Sequence, residues 1–185
     1  MYLTPVSVNC FGPWLLLKEI GIDHEIVFVD LMKGEHKKPE FLALNPLGQV
    51  PTLKDGPTTV FEGNAILRYI ASKFLGYAQL AKFYTPDPTA RAKIDIALDW
   101  RQTAWYPAVA KATYSKLWGS DPEKFNPVEG VIGLDGQVQT LQYLLGSNDF
   151  IGGAEPCLAD FTIVPTFQFL RVSEWSMPQF VLEYE

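Results

Sequence analysis

NPLGQVPTLKDGPTTVFEGNAILRYI, residues 45–70, decides how the first part of this chain folds. A loop containing Asn45, Pro46 and Gly48 leads into PTLKD (51–55), and after the Gly56-Pro57 break comes TTVF (58–61). Two short runs flanking a turn signal predict a β-hairpin. EGNAILRYIASKF then places Ile66, Ile70 and Phe74 at helical spacing on one face, so a helix follows the hairpin. Working back from there, PEFLALN (39–45) predicts a helical turn or two, and EIVFVD (25–30), apolar and β-branched, predicts a buried strand. PWLLLKEIG predicts a helix ending at Gly21, and MYLTP a brief strand before it.

The resulting order is β-α-β-α-β-β-α. A strand–helix–strand connection of this length implies a parallel pair within a small mixed sheet. The expected fold class for residues 1–76 is therefore an α/β thioredoxin-like domain with a mixed four-stranded sheet. YAQLAKFYTPDP (77–88) predicts a linker, with Asp87 as N-cap and Pro88 at the first position of the next helix. Residues 89–185 predict an all-α domain. Ile94, Leu98, Trp105 and Val109 recur at helical spacing, Pro107 is expected to kink that helix, and Val131, Leu134, Val138, Leu141 and Leu145 form the stripe of a second. A third helix is expected to begin near Cys157.

Composition narrows the function. The chain has 185 residues, a formal charge of -6 and 48% hydrophobic residues, without a run of Lys or Arg. Nucleic-acid binding would want a basic stripe, so it is set aside. No stretch is apolar for long enough to span a bilayer, and no signal-peptide layout opens the chain, which points to a cytoplasmic protein without a membrane partner. Two cysteines and two histidines at unrelated spacings predict neither a disulfide scaffold nor a metal site.

Several segments carry candidate chemistry. Val50-Pro51 before a strand is a place for a cis bond that would leave the backbone of Val50 free to pair with an extended ligand, although an ordinary trans loop explains the same residues. Glu62 and Gly63 open a helix whose N–H groups suit a carboxylate while Glu62 suits an ammonium, a pairing fit for an amino-acid head group; an acidic first turn favoured by the macrodipole is the plainer explanation. KGEHKKPEF (33–41) offers His36 and Lys37 to an anionic ligand terminus, or a solvated charge cluster. In TPVSVNCFG (4–12) Ser7 and Cys10 compete for the handling of a reactive sulfur. A hydroxyl beside a helix start can hold a thiolate charged. Lowering a thiol pKa by two units needs about 2.7 kcal/mol, within reach of one charge-assisted hydrogen bond and a helix terminus.

GEHKKPEFLALNPLGQVPTLKDG and FEGNAILRYI together resemble the glutathione site of the cytosolic glutathione transferases, in particular the serine-using theta, phi and delta branch, and the likeness runs over nearly the whole chain. That resemblance implies a homodimeric enzyme conjugating glutathione to small hydrophobic electrophiles, with glutathione as co-substrate and no other cofactor. It implies Ser7 as the catalytic hydroxyl, and Val50, ahead of a cis Pro51, pairing its backbone with the cysteinyl part of glutathione. Gln49, His36 and Lys37 would lie toward the glycine carboxylate, and Glu62 and Gly63 at the γ-glutamyl end. Asp99 would reach the neighbouring subunit's γ-glutamyl amine. Phe11 and the aromatic stretch TAWYPAVAKATYSKLW are expected to line the electrophile pocket, with Trp105 turned inward and Tyr106 and Tyr114 toward the cleft.

The chain departs from the family pattern in four places. Gly63 stands where serine is usual, at a cost of about 1 kcal/mol in ligand binding. Cys10, Phe11 and Gly12 replace a Thr-Arg-Arg type sequence. Cys157 replaces the hydroxyl residue of a capping box that keeps Asp160, at about 1 kcal/mol. FVLEYE stops where a further family helix is expected. Two alternatives stay open: an interaction module without catalysis, like that in the gamma subunit of translation elongation factor 1, to which Asn64 in EGNAI points, and a thiol transferase using Cys10, a residue whose type is more often simply buried.

Overall fold

The computed structural model describes residues 1–74, 76 and 80–184. The chain divides into two units, Met1–Tyr84 and Thr85–Glu185.

In the first unit, β1 (Tyr2–Leu3), α1 (Val8–Glu19), β2 (Val27–Phe28), α2 (Pro39–Leu42), β3 (Thr52–Asp55), β4 (Thr58–Phe61) and α3 (Gly63–Lys73) follow in the predicted order, and a single helical turn, α4 (Leu80–Phe83), comes after them. The sheet runs β2-β1-β3-β4. β1 and β2 are parallel, while β3 is antiparallel to both β1 and β4. This is the mixed four-stranded sheet of a thioredoxin-like unit. Leu3 from the sheet, Leu16 from α1 and Ile66, Leu67 and Ile70 from α3 are all at most 1% exposed, and α1 packs on α3. Full burial of each such side chain stabilises by about 1.5–3 kcal/mol. α1 ends as predicted, with Gly21 donating to Lys18 O and Ile22 to Leu17 O, the paired bonds of a Schellman motif.

The strand expected to be buried is not. β2 is an edge strand paired only with β1, and Phe28 is 64% exposed. An apolar, β-branched run announces a strand, but its position in the sheet depends on partners elsewhere in the chain.

The second unit is helical: α5 (Pro88–Trp100), α6 (Tyr106–Trp118), α7 (Pro127–Leu145), α8 (Leu158–Leu170) and α9 (Gln179–Tyr184). α5 starts as predicted, with Asp87 accepting from Ala90 N–H at 2.7 Å. Within the span read as linker, residues 77–79 lie outside the described residues, and 80–83 form α4. α6 and α7 pack closely: a Cβ on Gly130 would lie 2.2 Å from Ala112 N, so the crossing requires glycine. At α8, Asp160 accepts from Cys157 N–H (2.6 Å), Ile151 N–H (2.9 Å) and the Tyr184 hydroxyl (2.6 Å).

Instead of a simple kink at Pro107, a five-residue π-helical turn, Arg101–Trp105, stands between α5 and α6. Pro107 has no N–H to give to Thr103, and its ring crowds that carbonyl in a regular helix. The wider turn absorbs this conflict before Pro107 enters the first turn of α6.

Candidate functional site

Ser7 occupies the N-cap position of α1 with extended backbone (φ -119°, ψ 117°), yet its hydroxyl makes no bond to the helix's own N–H groups. That is the bond a capping serine ordinarily forms. The half-buried side chain lies instead within hydrogen-bond reach of the Cys10 thiol. No acidic residue stands in the first turn, so the positive end of the α1 dipole has no local carboxylate. Cys10 is 1% exposed, and burial pushes its thiol up to about 11 against the opposing bonds from Thr4 backbone and Ser7. It is a neutral, packed thiol near pH 7.

The loop before β3 is tied down by groups the sequence did not single out. Asn45, 1% exposed, donates its amide to Gln49 O (2.9 Å) and Thr52 Oγ1 (3.1 Å), and accepts from Leu47 N–H (3.0 Å). Thr52 Oγ1 also donates to Gln49 O at 3.0 Å. The Gln49 carbonyl is therefore held inward while its side chain is exposed, and half-buried Val50 follows, joined to Pro51 by a cis peptide bond. The available signal for Asn45 was its place in an Asn-Pro loop; for Thr52, a polar residue at a core-facing strand position.

Lys37 Nζ donates to Leu47 O (3.4 Å) and Gly48 O (3.3 Å). Gly48 has φ 59°, and a Cβ there would lie 2.8 Å from His36 O and 2.9 Å from Lys37 Nζ. Both the backbone and the close approach demand glycine. His36 differs from the cation expected beside Lys37. Burial, then the charge of Lys37, holds its imidazole below the ordinary value, so it is neutral near pH 7, and its buried Nδ1 has no hydrogen-bond partner among the described residues.

Glu62 precedes α3 with φ 69° and ψ 118°, a region that a residue with a Cβ rarely adopts. Such strain costs about 1–3 kcal/mol and gathers at ligand sites. At Gly63 an added Cβ would lie 3.2 Å from Asn9 O and 4.0 Å from Pro51 Cγ. The starts of α1 and α3 and the Val50-Pro51 junction thus converge, and serine at position 63 would require Asn9 to give way by a few tenths of an ångström. Asn9 of α1, Pro51 and Gly63 of α3 are thus neighbours, with Ser7, Val50 and Glu62 close to them along the chain. His36, Lys37 and Gln49 are joined to them through the Gly48 loop.

Phe11, half-buried on α1, stacks on Trp14 with ring centroids 6.3 Å apart. The remaining expected residues belong to the helical unit. Trp105 points inward completely: it is 0% exposed, donates to Thr166 Oγ1 at 2.8 Å, and packs edge-on against Phe167 and Trp175. It has no free face for a ligand. Its wall role is thereby reduced to supporting neighbours. Tyr106 and Tyr114 are half-buried with their hydroxyls hydrogen-bonded to each other. Asp99 is exposed on α5.

Residues 2–72 match the family model for the glutathione S-transferase N-terminal domain. The chain is 35% identical over 164 residues to glutathione S-transferase 3 of Zea mays, an alignment covering 86% of this chain and 72% of that protein. It is 34% identical over 173 residues to human glutathione S-transferase theta-2B, covering 86% and 66%. Among solved structures, a delta-class glutathione transferase of Nilaparvata lugens superposes with a TM-score of 0.86 at 28% identity, covering 99% of this chain and 84% of that one. With a thioredoxin-like sheet and relatives matched over most of its length, the chain belongs to the glutathione S-transferase family.

Proposed function

We propose that this glutathione S-transferase ionises the thiol of glutathione at Ser7 and directs the thiolate at a carbon of a small hydrophobic electrophile. The carrying observation is the Ser7 hydroxyl: at the start of α1, half-buried, and making no capping bond to the N–H groups of the helix it precedes. A hydrogen bond from it to sulfur, added to the positive end of α1, favours the thiolate over the thiol. Two pKa units of lowering correspond to about 2.7 kcal/mol. The rest of the rate comes from holding nucleophile and electrophile together.

In this reading the backbone of Val50, beside Pro51, pairs with the cysteinyl residue of glutathione, and Glu62 and Gly63 receive its γ-glutamyl end. Gln49, His36 and Lys37 face the glycine carboxylate. His36 acts there as a neutral hydrogen-bonding group, and Lys37 supplies charge while bracing the Gly48 loop. Phe11, Tyr106 and Tyr114 meet the electrophile, with Trp105 supporting the two tyrosines from within. Asp99 serves the γ-glutamyl amine of a second subunit in a homodimer. No further cofactor is required by this chemistry. Among the described residues no helix is long and apolar enough to cross a membrane, in keeping with a cytoplasmic enzyme.

The buried, proton-retaining Cys10 disfavours the thiol-transferase alternative. The test is Ser7→Ala. Its kcat/KM with an aryl chloride is expected to fall about 100-fold while glutathione affinity changes less than about 3-fold, the pattern of a lost activating group rather than a lost binding group. Full activity in Ser7→Ala would remove Ser7 from the mechanism.

A further inference from the structure

A cavity of about 420 Å³ lies in the first unit, at the far end of its elements from Ser7. It is lined where β1 and β2 begin, at Tyr2 and Val27, and where β3 ends, at Asp55. The C-terminal halves of α1 and α3 close over it, whereas Ser7 and Gly63 stand at the starts of the same two helices. Its volume falls in the range of small-molecule sites, roughly 300–1,000 Å³. Leu17, Leu53, Ile70 and Phe74 make its walls apolar. Glutathione chemistry at Ser7 makes no use of it.

The polar groups of the lining are mainly acceptors. His24 Nδ1 lies 2.6 Å from Ile22 O. A carbonyl only accepts, so Nδ1 carries the proton and Nε2 of the neutral ring keeps its lone pair. Asp55 accepts from Lys73 and from the Tyr69 hydroxyl (2.9 Å), both at Oδ2, which leaves Oδ1 without a hydrogen-bond partner among the described residues. The bonds from Lys73 and then Tyr69 hold the Asp55 carboxyl below its usual range. The carboxylate of exposed Asp23 has neither hydrogen bond nor ion pair among the described residues.

The nearby cations leave this set of acceptors unanswered. Lys73 is engaged by Asp55, and the Met1 amine donates to Glu25 O. Exposed Lys54 alternates to the other face of β3 from Leu53 and Asp55. The negative ends of the α1 and α3 dipoles add to the preference for positive charge. An ammonium already rests against the aromatic part of the lining: Lys73 Nζ lies 5.8 Å from the centroid of the Tyr69 ring and 5.6 Å from that of Phe74.

We propose that this cavity is a binding site for a small arylalkylamine, separate from the glutathione site. The ammonium meets the acceptors of Asp23, His24 and Asp55, and the apolar body packs among Leu17, Leu53 and Ile70. A neutral analogue of the same shape gains the apolar contacts and forgoes the charge-assisted bonds.

The experiment is calorimetric titration of phenethylamine and of 2-phenylethanol, each with and without saturating glutathione. It is run at about pH 8, where an alkylamine is charged and a free imidazole is not. Phenethylamine is expected to bind once per chain, equally with and without glutathione, and about 10-fold more tightly than the alcohol. Asp23→Asn, at an exposed residue with no bond to lose, is expected to weaken the amine about 5-fold and leave the alcohol unchanged. His24→Ala is expected to do the same. Equal affinity for amine and alcohol overturns the proposal, as does an amine that Asp23→Asn binds as tightly as wild type. Competition between phenethylamine and glutathione, or no binding of the amine, overturns it as well.

Discussion

The hydroxyl groups of Ser7, before α1, and Tyr106, opening α6, are positioned by different means. Ser7 follows β1 across a short turn in which its N–H donates to Thr4 O, and the start of α1 converges with that of α3 and with Pro51. Tyr106 owes its setting to a π turn and a buried arginine. The first arrangement is assembled from local turns that small and polar residues announce. The second is created by a break in helical periodicity. A site built from local turns tolerates little change in the loops that carry it, whereas one built by a helix defect depends on the interior packing that holds the defect in place.

The contrast is sharpened most strongly at Gly48. Gly48→Ala introduces a Cβ within 2.8 Å of His36 O at a positive φ. A loss of about 2 kcal/mol in unfolding free energy is expected, with a raised KM for glutathione because the Gln49–Val50 segment shifts. Denaturant unfolding and steady-state kinetics measure both, and an unaltered KM would show that this loop does not support ligand binding.

A second test separates Ser7 from its neighbour Cys10. The folded Cys10 thiol holds its proton to about 11, against 9.0 for the unperturbed group. Its contribution to stability is therefore complete below pH 9 and is lost as the pH rises toward 11. Iodoacetamide at pH 8 should leave both cysteines unmodified in the native protein and alkylate both after denaturation, since Cys157 is likewise buried and pushed up by burial and by Asp160. Native-state labelling of Cys10 at the rate of a free thiol would return it to contention.

The smallest effect is expected at Cys157→Ser. A hydroxyl at this N-cap gives the α8 N–H groups a better acceptor, worth about 1 kcal/mol, or a rise of roughly 2–4 °C in Tm. An unchanged Tm would mean that the bonds Asp160 accepts already complete the cap.

What the sequence made legible tracks the same division. Hairpin, strand order and the stripes of α3 and α7 could be read because alternation, turn residues and helical spacing are local properties. The Val50-Pro51 junction before β3 and the helix start at Glu62–Gly63 were legible through motif order. Asn45 was not, because a buried amide that satisfies several backbone groups looks like any loop asparagine until the loop is closed. The positive φ of Glu62 and the neutral state of His36 have no sequence signal, since each depends on surroundings contributed by distant residues. The exposure of Phe28 reflects its place on a sheet edge. In the helical unit the spacing of Ile94, Leu98, Trp105 and Val109 identified the core, all four being buried. The π turn escaped because Pro107 announces an irregularity without specifying its kind.

The most direct measurement is a pH titration of thiolate ultraviolet absorbance for glutathione bound to the Cys10→Ala protein, with the ligand-free protein subtracted. The bound thiol is expected to ionise about two units below its free value, and that shift to be lost in the Cys10→Ala, Ser7→Ala protein. A bound thiol that titrates as it does in water, or a shift that persists without Ser7, would contradict the assignment of thiol activation to Ser7.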